Sequence, residues 1–151
     1  MQRVLAGLQV GLLGGIGMFL WLALYASWQG RSFWSPLNLL ATTFYGDASL
    51  TRDLQWMTVS GAALGVLVAG TGGVLFGLLS PLAQPRMLRL AGVLFGVVWY
   101  HLWFGLLWDR VGSLVVLYSP GRPELVGHLL FGLTLGFLPK FLPAQGSQQT
   151  I

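Results

Sequence analysis

Four apolar stretches, each long enough to cross a bilayer as a helix, occupy most of this chain. A hydrocarbon core about 30 Å thick needs roughly 20 consecutive, mostly apolar residues in a helix. The stretches run over residues 4–28, 57–80, 88–108 and 125–142. Charge is too sparse for a water-facing surface. The 151 residues include only 8 Lys and Arg and 4 Asp and Glu, where a soluble domain of that length carries about 38 charged side chains. Most of the surface must therefore face lipid. Arg3 ahead of the first run resembles the start of a signal peptide, but the run is too long and LALYASWQG offers no small-x-small cleavage site. It reads as a retained helix. The expected fold is an all-α membrane protein, one transmembrane domain over 1–151 with four transmembrane helices.

The links differ in kind. Residues 81–87 make a short turn, which predicts that the second and third spans are antiparallel neighbours. Residues 33–45 (FWSPLNLLATTFY) and 111–118 (VGSLVVLY) are apolar and almost uncharged, so each predicts an interfacial segment, after the first and the third span respectively. Residues 145–151 form a polar tail. This alternation suggests a parallel two-fold internal repeat of span, interfacial segment and span. In its support, GVLFGLLSP from Gly73 resembles GLTLGFLP from Gly132, and the first and third spans both end in aromatic runs.

Hydrophobicity cannot drive helix association inside lipid, so close backbone approach must. Every span carries glycines four apart, which lie on one helix face. Gly92 with Gly96 and Gly132 with Gly136 are the expected packing pairs of the third and fourth spans.

With four spans both termini share a side. That side holds Arg3, Arg86, Arg89 and Lys140 without an acid; the other holds Arg31, Arg52, Arg110 and Arg122 beside Asp47, Asp53, Asp109 and Glu124. Unopposed arginines favour the cytoplasm for both termini. All seven tryptophans then lie at mid-membrane or outward. Lipid anchoring is one reading of this one-sided belt. The other is a docking surface for a partner subunit around Trp34, Trp99, Trp103 and Trp108.

No catalytic constellation emerges. Cysteine is absent, which excludes disulfides, thiolate metal sites and thiol nucleophiles. Metalloprotease, P-loop, dinucleotide and nucleophile-elbow motifs are missing, and every Asp, Glu, Lys and Arg can be set at or beyond a span end. His101 and His128 fall at similar depth, about 6–10 Å inside the outer surface, where two neutral imidazoles could ligate haem b from opposite faces, or one could hold a chlorophyll magnesium. Face arithmetic tempers that pairing. His128 lies four residues before Gly132, whereas His101 lies nine after Gly92, about 180° from its glycine face. Hydrogen-bonded structural histidines are the plainer reading, and no cofactor is predicted outright.

The segments GRSFWSPLNLLA and LVGHLLFGLTLG resemble patterns in small bacterial membrane proteins with four spans, a group with no assigned activity. The resemblance covers about a quarter of the chain and implies a multi-pass protein of the bacterial inner membrane. The leading expectation is a non-enzymatic accessory subunit packed into a larger membrane complex, with the lipid bilayer and other membrane subunits as partners and no nucleic acid. The alternatives are a haem- or chlorophyll-holding subunit of an electron-transfer or light-harvesting complex, and a small transporter or channel.

Overall fold

A computed structural model describes residues 1–80 and 84–142. Part of the 81–87 turn and the 145–151 tail lie outside the described residues. Six helices follow one another: α1 (Gln2–Trp28), α2 (Ser35–Tyr45), α3 (Trp56–Leu79), α4 (Pro85–Val111), α5 (Ser113–Tyr118) and α6 (Gly121–Leu135). No strand occurs among the described residues. Three helices, α1, α3 and α4, are long and apolar enough to cross a membrane. The expected interfacial segments at 33–45 and 111–118 form the short helices α2 and α5.

The fourth stretch departs from expectation. Helix α6 has 15 residues, starting at Gly121 and ending at Leu135, followed by a 3-10 turn over Leu138–Phe141. Pro139 supplies no amide and disfavours a helical residue before it, so the regular helix stops short of residue 142. At 1.5 Å per residue, α6 alone is about 22 Å long.

Glycines set the packing. A Cβ on Gly73 would overlap the backbone of Gly7 and Gly11, and one on Gly77 would reach the Arg3 carbonyl at 2.6 Å, so α1 and α3 touch backbone to backbone. Gly92 and Gly96 of α4 meet Gly132 and the His128 carbonyl of α6 in the same manner. Helix α1 also packs along α6, giving the spatial order α3–α1–α6–α4.

Helices α3 and α4, expected to be neighbours because their link is short, barely touch. Their glycine faces are turned to α1 and α6 instead. The two helices meet through aromatic side chains: the Phe76 and Phe95 rings lie 5.5 Å apart, and the Trp99 indole lies 3.0 Å from where a Cβ on Gly72 would sit, beside Phe131.

Polar side chains secure the short elements. Buried Asn38 of α2 donates to the carbonyls of Thr51 at 2.9 Å and Asp53 at 3.2 Å, and accepts from the Thr58 hydroxyl. This ties α2 to the start of α3. The Trp21 indole donates to the Pro123 carbonyl at 2.9 Å, which joins α1 to the first turn of α6.

Gly73→Ala or Gly132→Ala should lower stability by about 1–3 kcal/mol, the usual cost of overpacking. Gly105→Ala, where an added Cβ meets nothing within 4 Å, should be near neutral. Thermal unfolding of the three variants in one detergent checks this.

Candidate functional site

The inward stripe of α6 carries the chemistry. Glu124, His128, Phe131 and Leu135 follow at helical spacing and are 8%, 4%, 1% and 0% exposed. Glu124 is the residue missed from sequence. With the fourth stretch taken from residue 125 it falls outside the span, whereas the helix begins at Gly121 and turns this side chain inward. The signal was present as three residues four apart on one face, Glu124, His128 and Gly132. Glu124 sits in the first turn of α6, at its end, but its side chain is buried rather than exposed.

The Nδ1 atom of His128 lies 2.8 Å from the Glu124 carbonyl. A carbonyl only accepts, so Nδ1 carries the proton and Nε2 keeps its lone pair. The rings of Tyr100 and Phe104 stand edgewise at 5.3 and 5.9 Å from the imidazole.

His101, by contrast, is exposed, its ring 5.1 Å from that of Tyr100. The two histidines differ in setting, His128 buried and His101 exposed, in keeping with the face arithmetic that set His101 away from its glycine face. The nine-residue offset from Gly92 had already turned His101 away from the packing face. His128 alone remains as a single ligand for a tetrapyrrole. No group of three or more metal-ligating side chains occurs among the described residues.

The three tryptophans of α4 also point inward. Trp99 and Trp108 are 6% and 3% exposed, and Trp103 is half-buried. Phe76, Phe95, Trp99, Trp103 and Trp108 form a column with successive ring separations of 5.5, 5.6, 5.8 and 5.1 Å. Two causes combine. Trp99 and Trp103 each lie seven residues after a packing glycine, hence on the packing face. A π-helical turn over Trp103–Leu107 then absorbs an extra residue and returns Trp108 to that face. The expected outer docking surface is therefore corrected at Trp99 and Trp108, which serve the chain's own core. Trp34 is half-buried against Phe33, 5.2 Å away.

Inside this frame lies a chamber of about 440 Å³. Leu12, Ile16 and Phe19 of α1, Leu37 and Leu40 of α2, and Ala62 and Val66 of α3 form one side; Trp103, Trp108, Glu124, His128 and Phe131 form the other. The lining is almost wholly apolar. Its polar groups gather at one end, where Ser119, Glu124 and His128 meet it. Among the described residues four side-chain groups are buried without a hydrogen-bond partner: the Trp103 indole nitrogen and the Ser119 hydroxyl at the chamber, and the Thr43 and Ser80 hydroxyls outside its lining. Such orphaned donors normally cost about 1–3 kcal/mol each and suit a ligand or water that accepts from them.

Trp99→Ala or Trp108→Ala should lower the stability of the isolated chain by about 3–5 kcal/mol, as for buried aromatic truncations. Trp28→Ala, at a position 82% exposed, should change it by less than about 0.5 kcal/mol. Detergent-resistant unfolding without any partner present separates core from docking roles.

Comparison with protein-family models, with curated proteins and with solved structures finds no match to this chain.

Proposed function

We propose that the chain is a non-enzymatic, four-span protein of the bacterial inner membrane that takes an apolar chain from the surrounding lipid into its interhelical chamber. The observation that carries this reading is the chamber itself, with Ile16 and Val66 in its lining though each is 56% exposed. A mouth flanked by exposed aliphatic side chains admits molecules dissolved in the bilayer. The volume falls within the roughly 300–1,000 Å³ usual for small-molecule sites.

Several features support four crossings. The turn over Leu138–Phe141 adds about 8 Å to the roughly 22 Å of α6, which together match a hydrocarbon core near 30 Å. Arg3 lies against Gly77 and Arg89 against Gly136, so the basic residues without acids gather at one end of the bundle. Lys and Arg number four on each side, so the positive-inside count is even; the lack of opposing acids at this end favours the cytoplasm there, and hence for both termini. Two glycine-paired units, α1 with α3 and α4 with α6, each flank a short helix, which supports a parallel repeat.

A partner subunit has a place in this account at the opposite end, where Trp28 and Trp56 are 82% and 65% exposed. There the chain would act as an accessory subunit that carries its own lipid.

Native mass spectrometry of the gently solubilised chain should find a retained lipid, and Ala62→Phe, which fills the chamber, should reduce its occupancy several-fold while the fold persists. A chain that emerges without lipid, or an unchanged occupancy in Ala62→Phe, contradicts the reading. A reporter fused after Ile151 should read cytoplasmic and one inserted near Asp47 periplasmic.

A further inference from the structure

Among the described residues Glu124 is the one buried acid, at 8% exposure, whereas Asp47, Asp53 and Asp109 are exposed. It lines the chamber, and no cationic side chain pairs with its carboxyl among the described residues. Arg31, which lines a neighbouring recess, and Arg122, two residues earlier, are both exposed. A carboxylate shut off from water is costly unless a cation pairs with it. The same chamber is walled by Trp99, Trp103, Phe104 and Trp108 of α4. Aromatic rings attract cations, tryptophan most strongly, and the attraction grows where water is excluded. The carboxyl of α6 and the rings of α4 therefore favour the same sign of charge in one apolar space.

We propose that the chamber is a binding site for a lipophilic monocation, an ammonium group borne on a single apolar chain. Its ammonium sits at Glu124 among the tryptophans, and its chain lies along the aliphatic side chains of α1 and α3. This rests on the chamber taking an apolar chain from the bilayer and adds the head group that chain carries. The volume of about 440 Å³ lies in the lower half of the roughly 300–1,000 Å³ usual for small-molecule sites. That suits one chain better than the two of a phospholipid. An anionic head would bring like charge to Glu124. An uncharged head would leave the carboxyl without a cation.

The test uses the full chain in nanodiscs of phosphatidylcholine, whose lack of net charge keeps the bilayer surface from selecting by charge. Three probes share the dodecyl chain: dodecyltrimethylammonium, dodecanol and dodecyl sulfate. Native mass spectrometry reads each probe retained per chain, divided by its content in the bilayer. The wild type should hold the cation over the alcohol by about tenfold, the scale of a desolvated cation–π contact, and the sulfate least. In Glu124→Gln that ratio should fall several-fold, with dodecanol retention unchanged. In Asp109→Asn, at an exposed position, the full preference should persist. Dicyclohexylcarbodiimide, an apolar carboxyl reagent, should label Glu124, and the cation should slow that labelling more than the alcohol does.

Equal retention of cation and alcohol by the wild type would overturn the head-group assignment while leaving the chamber as a site for apolar chains. The assignment also fails if Glu124→Gln keeps the full preference, or if Asp109→Asn loses it, which would trace the preference to net charge. Should Glu124→Gln not fold, protection from the carbodiimide decides the same point in the wild type, and equal protection by both probes contradicts the assignment. Retention of none of the three probes would remove the chamber reading and this assignment together.

Discussion

Direct contact between backbones at glycine faces is the constraint from which the remaining architecture follows. In lipid there is no gain from burying one apolar surface against another, so helices that are to stay together must approach closely enough for dispersion between main chains. Gly7 and Gly11 against Gly73, and Gly92 and Gly96 against Gly132 and its flanks, meet that condition. Where the contacts stop, the helices separate. Beyond Gly15 and Ala69 the chain places α2 between α1 and α3, and a Cβ on Gly65 would meet only a Leu40 side chain at 3.4 Å. The chamber is the space that this divergence leaves. Its other wall is the aromatic column of α4, held inward by the same glycine stripe.

The polar groups follow from this geometry. Gly132 lets α4 and α6 meet closely and thereby turns His128 and Glu124, one and two turns earlier on the same stripe, toward the interior. Their surroundings differ from those of Asn38, whose amide and carbonyl are both engaged. The Trp103 indole and the Ser119 hydroxyl lack partners. Satisfied polar groups at Asn38 serve cohesion, whereas two of the four unsatisfied groups, at Trp103 and Ser119, line the chamber and the other two, at Thr43 and Ser80, do not.

Much of this was legible in the sequence. Three spans follow from length and apolarity, and the glycine pairs from a spacing of four. The inward turn of Trp99 and Trp103 was legible as well, because the stripe that carries Gly92 and Gly96 continues through them; a one-sided aromatic belt pointed instead to a docking surface. Glu124 was obscured by starting the fourth stretch at residue 125, four residues after the helix begins at Gly121. Two features had no local signal. Nothing around Trp103–Leu107 announces the wide turn that brings Trp108 inward, since no proline interrupts it. The short link between α3 and α4 suggested adjacency, but complementary glycine faces on α1 and α6 outweigh chain connectivity.

The helix order α3–α1–α6–α4 can be read directly by cross-linking, because the chain has no cysteine of its own. A Cβ on Gly14 would stand 3.4 Å from the Cβ of Thr134, close to the 3.5–4.5 Å range of disulfides. Gly14→Cys combined with Thr134→Cys should therefore oxidise in the membrane to an intramolecular disulfide, identified as a linked peptide by mass spectrometry. Failure of that pair to link, under conditions in which cysteines placed on facing positions of α3 and α4 do link, would contradict the glycine-determined order and the chamber that depends on it.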